Sequence, residues 1–194
     1  MSAAEQTSAA KIGAVVFRNR GWLPVPFLVV PLFAPGIMSP RTTIAGAVLM
    51  MIGEAWRLWG VATAGTATRR RSRNVQKFVT HGPFAWSRNP LYNGNFLIWM
   101  GVITLSGVLW FLPVAAVIFM IEYYYIVRYE EGVLESIFGP EYLAYKERTS
   151  RWFPASSGGA SGEFFWGEAW KSELSTFLQY IVIIGLFIAK ERYY

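Results

Sequence analysis

The sequence predicts an all-α protein, a polytopic transmembrane helix bundle of about five spans. Three observations carry that expectation. Apolar residues make up 54% of the 194 and charged residues only 15%, where a soluble domain carries about 25% charge. The apolar residues gather into runs, several of them near the roughly 20 residues a helix needs to cross a bilayer. The 9 Trp and 10 Tyr exceed what a core needs. Such rings favour the membrane–water interface, where apolar body and polar tip are both satisfied.

The elements follow in order. Residues 1–20 read as a cytoplasmic N-terminal segment, polar and small over Met1 to Lys11, where no apolar core and cleavage site of a signal peptide follows. Residues 21–154 read as the membrane core. Its first span runs from about Trp22 to Met38, and Pro24, Pro26, Pro31 and Pro35 predict kinks or a broken helix there. The second runs from about Thr43 to Ala62. The third and fourth form a hairpin, Leu91–Leu105 and Leu109–Val127, turning at Ser106-Gly107. Tyr129–Arg151 is amphipathic: Val133, Leu134, Ile137 and Phe138 recur near helical spacing beside Glu135, Glu141, Lys146, Glu147 and Arg148. Residues 155–171 read as a Ser/Gly linker and an interfacial approach, and 172–194 as a last transmembrane helix over Leu174–Ala189.

Charge sets the expected orientation. Lys11, Arg18 and Arg20 precede the first span. Arg69, Arg70, Arg71, Arg73, Lys77 and Arg88 lie between the second and third with no acidic residue among them. The positive-inside rule places both clusters, and with them Tyr129–Pro154, in the cytoplasm and the C-terminus outside. The net charge of +6 is thereby explained without nucleic acid. The chain has no Cys, no Asp and one His. That removes disulfides, thiolate chemistry and a Ser-His-Asp triad, and no metal site is expected.

Two polar stretches stand out against this apolar frame. The first is His81-Gly82-Pro83-Phe84, followed by Arg88-Asn89-Pro90-Leu91-Tyr92. Gly-Pro and Asn-Pro are turn signals, and Pro90 suits the first turn of a helix. Arg88 and Asn89 then sit at a helix start whose free N–H groups suit an anion. The bland reading is a re-entry loop whose Arg meets lipid phosphate. The second stretch is Glu130-Glu131, after Tyr123-Tyr124-Tyr125 and Arg128. Two carboxylates beside Arg88 or Arg128 can hold a cationic ligand or the hydroxyl and amino groups of a cofactor, with aromatic faces nearby for a sulfonium. The bland reading is a solvated helix start beside an aromatic belt. Glu54 and Arg57 fall inside the second span. A charge at the bilayer centre costs about 2.5–3.5 kcal/mol on insertion scales, so the pair is expected to face the bundle interior, paired together or serving chemistry. Glu122, in the fourth span, can reach the interface. His81 is a lone loop histidine, more often a surface group than a catalyst.

Taken together, these motifs resemble the integral-membrane methyltransferases related to isoprenylcysteine carboxyl methyltransferase and phospholipid N-methyltransferase. That pattern reads Gly-Pro-Tyr, a gap, then Arg-His-Pro, one residue and Tyr; here it is Gly82-Pro83-Phe84 and Arg88-Asn89-Pro90-Leu91-Tyr92. A second motif is matched by Glu130, Glu131, Leu134, Phe138-Gly139, Glu141-Tyr142, Tyr145, Arg151 and Pro154. Arg57-Leu58-Trp59-Gly60 and Gly65 resemble the preceding helix. The likeness covers about Gly53 to Pro154. It departs at Asn89, where the family has His, and after Pro154.

The resemblance implies S-adenosylmethionine as cofactor, bound by a cytoplasmic catalytic segment. Carried over by position, His81, Gly82, Pro83, Phe84, Arg88, Asn89, Tyr92, Glu130 and Glu131 would shape its site, and Arg57, Arg88 and Glu131 would serve catalysis. The implied acceptor is a lipid or lipidated molecule arriving from the bilayer, of phospholipid-amine or isoprenylcysteine-carboxylate type. An amine acceptor must lose a proton, for which Glu130, Glu131 or His81 are available; a carboxylate needs none. Asn89 keeps hydrogen-bonding capacity but cannot titrate. The last helix is expected at the rim of the site or in a homo-oligomer contact. Two alternatives stand beside this reading: a membrane sterol-type reductase using NADPH, and a non-catalytic membrane scaffold.

Overall fold

The computed structural model describes residues 12–22, 24–65, 79–152 and 161–193. All regular structure among them is helical. A short α1 covers residues 12–18. It is followed by α2 (Pro24–Phe33), α3 (Pro40–Ala64), a 3-10 turn (Gly82–Ala85), α4 (Pro90–Leu105), α5 (Phe111–Phe138), α6 (Pro140–Arg148) and α7 (Trp166–Tyr193). The basic stretch Arg69–Lys77, most of the Ser/Gly linker, Lys11 and Pro154 lie outside the described residues.

The chain passes along the bundle five times. Arg20 lies beside Glu130 at one end, and Gly36 abuts Val108 at the other, so the α2 passage covers the same depth as its neighbours. Three passages, α3, α5 and residues Trp166–Arg192 of α7, are long and apolar enough to cross a membrane. The protein is an integral membrane protein of helical type. The expectation of about five full spans is coarser than the structure. The ten residues of α2 rise only about 15 Å and the sixteen of α4 about 24 Å, against a hydrocarbon core of about 30 Å. The prolines explain the first case. Pro31 sits inside α2, and residues 35–39 are irregular, because Pro35 cannot donate to a helical ladder.

Why α3 and α4 lie so close is written in their glycines. Gly46, Gly53 and Gly60 recur every seventh residue and so share one face of α3; Gly94 and Gly101 do the same on α4. A Cβ at Gly46 would stand 2.6 Å from Gly101 O, and one at Gly53 would stand 2.7 Å from Gly94 O. Only hydrogen fits where two backbones meet, the packing that membrane helices use when lipid removes the hydrophobic drive. Ser39 caps α3 with a reciprocal box to Thr42, satisfying donors that the N-terminus would leave free. The 4-5 hairpin turns at Ser106-Gly107, as its sequence indicates. Gly107 adopts φ +74, and any side chain there would strike Ile37.

Two elements run further than expected. α5 continues through Glu130 and Glu131 to Phe138, so these carboxylates lie within a helix rather than at a helix start. Nothing in the sequence breaks it before Gly139-Pro140. α7 begins at Trp166, where an interfacial approach was expected, and it docks on the core over its whole length. Phe165 N donates to Ala62 O (2.7 Å). Near the far end Lys190 Nζ donates to Pro31 O (2.8 Å) and Ala34 O (2.6 Å), carbonyls that the broken α2 leaves open.

Candidate functional site

The 3-10 turn and the start of α4 face the last third of α5. Gly82 has φ +56, and a Cβ there would stand 2.6 Å from Thr63 Oγ1; this is a turn only glycine makes at that distance. Pro83 accepts from Trp86 N and Ser87 N, which fixes the turn. Phe84 O accepts from Tyr145 Oη at 2.7 Å. Burial pushes the Tyr145 phenol well above its ordinary pKa, so it stays a donor through any physiological pH. Tyr142, beside it, is raised by the same cause.

At the centre stands Glu131, 5% exposed. Oε1 accepts from Arg88 Nε (3.1 Å) and Arg151 Nε (3.2 Å), and Oε2 from Arg151 Nη2 (2.7 Å). Arg88 Nη1 also donates to Lys146 O (2.8 Å) and Thr149 O (3.1 Å). One guanidinium thus ties the loop, α5 and the chain after α6 together. Two cations on one carboxylate recover by hydrogen bonding what burial costs the charge. Of the two Arg anticipated beside the acids, Arg88 is there; Arg128 bonds Tyr124 Oη (2.6 Å).

Asn89 does not cap α4 with its side chain. Its Nδ2 donates to Arg151 O (3.0 Å), while Asn93 Nδ2 bonds Ser87 Oγ (3.0 Å). An amide suffices for that duty, and a titrating ring is not required for it. Tyr92 Oη donates to Glu130 Oε2 at 2.7 Å. Glu130 Oε1 has Arg20 Nη1 3.7 Å away, beyond hydrogen-bond length. The neighbouring acids therefore differ: Glu131 is sealed, and Glu130 keeps one oxygen loosely held. Tyr92 packs on Tyr123 (centroids 4.6 Å), and Tyr123 stacks on Phe119 (4.0 Å). Of the three consecutive tyrosines only Tyr123 is buried.

Arg57 belongs to a second cluster. Its Nη2 donates to both oxygens of Glu173 (3.0 Å each) and its Nη1 to Asn95 Oδ1 (2.6 Å). Glu54 lies 3.9 Å away and accepts from Tyr180 Oη (2.6 Å). The expected Glu54–Arg57 pair exists, but the stronger partner is Glu173, fully buried on the last helix. Asn95 reaches Tyr123 Oη at 3.4 Å, which links the clusters through the Tyr92–Tyr123 rings. His81 is brought to neither: its Nε2 pairs with Glu163 O (3.0 Å) and its ring meets Phe164 edge-on.

Sequence reasoning missed Asn95, Glu173 and Tyr180 and gave Arg151 no role beyond the motif. Glu173 carried a signal, since an acid two turns into an apolar helix needs a partner. Among the described residues no group of His, Cys, Asp and Glu is arranged to hold a metal ion.

Comparison with known proteins agrees with the motifs. The phospholipid methyltransferase family matches residues 41–141, just over half of the chain. The chain belongs to the phospholipid methyltransferase family. It is 29% identical over 80% of its length to the cobalt-zinc-cadmium resistance protein CzcN of Cupriavidus metallidurans, covering 68% of that protein. It is 28% identical to protein-S-isoprenylcysteine O-methyltransferase of Saccharomyces cerevisiae, over 63% of this chain and 53% of that protein. It is 33% identical to protein-S-isoprenylcysteine O-methyltransferase A of Arabidopsis thaliana, over 56% and 57%. The chain thus spans little more than half the length of these two methyltransferases. No solved structure matches the chain. The matched residues include both polar stretches, Gly82–Tyr92 and Glu130-Glu131.

Proposed function

We propose that the protein is a membrane methyltransferase that transfers a methyl group from S-adenosylmethionine to a lipid or lipidated acceptor. The observation that carries the reading is the Arg88–Glu131–Arg151 clamp, which holds the two polar stretches against each other at one end of an apolar bundle. The family membership and the methyltransferase relatives favour it over a reductase or a scaffold.

The donor set fits the cofactor. Among the described residues Glu130 Oε1 has only a long contact to Arg20, so it can accept from an amino or hydroxyl group, and the Tyr92 and Tyr123 rings offer faces to a sulfonium. When bound, S-adenosylmethionine supplies an electrophilic methyl on a cationic sulfur. The rest falls to the chain. Arg88, Glu131 and Arg151 hold the wall of the site rigid, since in-line transfer gains about 7–11 kcal/mol from alignment alone. Asn89 positions the Arg151 backbone. Gly82, Pro83 and Phe84 shape the turn that carries Arg88, and His81 anchors it to the α7 leader. With a carboxylate acceptor no base is needed. With an amine acceptor, Glu130 would take the proton from the nitrogen. α3 turns an exposed apolar face outward at Ile44, Val48, Met51 and Ile52, and the acceptor reaches the site from that side. The N-terminus and this end of the bundle lie in the cytoplasm.

Calorimetric titration of S-adenosylmethionine into the full chain in detergent tests the reading. Binding in the micromolar range, weakened about tenfold in Glu130→Gln, is expected. No binding by the unmodified chain overturns it.

A further inference from the structure

Arg20 and Glu130 face each other without closing. Nη1 stands 3.7 Å from Oε1, and the side chains stay 30% and 29% exposed. Exposure alone does not hold such a pair apart: Lys146 and Glu135 are about as open, and they meet at 2.9 Å. Glu54 and Arg57 also stand apart, at 3.9 Å, but each has a closer partner in Tyr180 and Glu173. Among the described residues the Arg20 guanidinium has its long contact to Glu130 and no hydrogen bond.

Packing, rather than the ion pair, seats this guanidinium. α1 lies directly on α5: a Cβ at Gly13 would stand 2.6 Å from Tyr125 O, an approach that only glycine permits. Phe17 meets the Tyr129 ring with centroids 5.4 Å apart. Arg20 Cζ sits 4.1 Å from the Phe17 centroid, where the ring face attracts it. Glu130 is fixed from the other side, by the Tyr92 hydroxyl (2.7 Å). Opposite charges are thus held by separate elements just beyond hydrogen-bond length. That slack leaves a donor fork and an acceptor side by side. A guanidinium takes a carboxylate through paired hydrogen bonds, and a carboxylate oxygen takes an ammonium. A ligand that carries both groups on one carbon, an α-amino acid end, matches the pair.

We infer that Arg20 is a cofactor-binding residue: its guanidinium receives the carboxylate at the amino-acid end of S-adenosylmethionine, while Glu130 Oε1 accepts from the adjacent ammonium. The inference rests on the methyl-transfer reading for the identity of the ligand. Family membership does not assign this role, because Arg20 lies outside the matched residues 41–141. Tyr92 adjoins Glu130 and packs on Tyr123, so the rings that suit a sulfonium lie next to this anchor.

The test titrates the full chain in detergent, by calorimetry, with S-adenosylmethionine and separately with its decarboxylated analogue, which keeps the ammonium and the sulfonium. The unmodified chain is expected to bind the parent about tenfold tighter. Arg20→Gln should erase that difference by weakening the parent alone. Arg20→Lys, which keeps the charge without the fork, should retain part of it. Equal weakening of both ligands in Arg20→Gln marks a merely structural residue and overturns the assignment. Equal affinity of the unmodified chain for the two ligands overturns it too, even if a variant fails to fold. So does a preference undiminished in Arg20→Gln, or in Arg20→Lys should the glutamine variant not fold. No binding of either ligand by the unmodified chain sinks the methyl-transfer reading and the anchor with it; binding of both without preference sinks the anchor alone.

Discussion

Glu130 and Glu131 are neighbours with opposite surroundings, and substitution separates their duties. Glu131→Gln removes a buried charge on which Arg88 and Arg151 both depend. It is expected to cost about 3 kcal/mol, the scale for breaking a buried ion pair from one side, read as a lowered thermal midpoint in detergent. Glu130→Gln should leave that midpoint nearly unchanged and act on cofactor affinity. Equal loss of stability in both would contradict the division. At Asn89 the amide only holds the Arg151 carbonyl, so Asn89→His should keep most methyl transfer while Asn89→Leu loses about tenfold, near the 1–1.5 kcal/mol of one hydrogen bond. Much of this site was legible in residue order: Arg88 and Glu131 were expected together and meet at 3.1 Å. What the sequence hid was saturation. It names the charged groups but not which already satisfy one another, so Glu131 reads as ligand-facing until its two guanidiniums are seen.

The packing of α3 on α4 depends on backbone contact, and that makes single methyl groups costly there. Gly53→Ala is expected to destabilise by about 1–3 kcal/mol, because the obstacle is Gly94 O at 2.7 Å and a backbone cannot swing aside. Gly185→Ala, with nothing within 4 Å of its built Cβ, should be neutral or stabilising by thermal unfolding. The seven-residue spacing of these glycines marks this contact in the sequence itself. The docking of α7 has no such spacing to mark it: Arg57 and Glu173 are 116 positions apart, and spacing arguments pair a charge only with helical neighbours. Glu173→Leu alone should destabilise by about 3–5 kcal/mol, since Arg57 stays buried without its main partner; adding Arg57→Leu should restore much of the loss. Methyl transfer surviving in that double variant would remove Arg57 from catalysis.

At the scale of the whole molecule, one end gathers the start of α4, the end of α5 and the start of α7, and the other gathers the hairpin tip and the end of α2. The all-helical membrane class was legible from apolar runs. The shortness of α2 followed from its prolines, and the early start of α7 was masked by the polar first turns from Glu168 to Glu173. Because the chain has no cysteine, its orientation can be read with single introduced thiols. Ser136→Cys, at the site end, should react with an impermeant maleimide only from the cytoplasmic side, and Arg41→Cys, at the other end, only from outside; the reverse pattern inverts the topology. The most direct measurement supplies purified chain with S-adenosylmethionine labelled in the methyl group and total membrane lipid, then follows the label. Label in the lipid fraction, lost in Glu130→Gln, is the expected result. Label in neither lipid nor lipidated protein, or transfer undiminished in Glu130→Gln, would contradict the account.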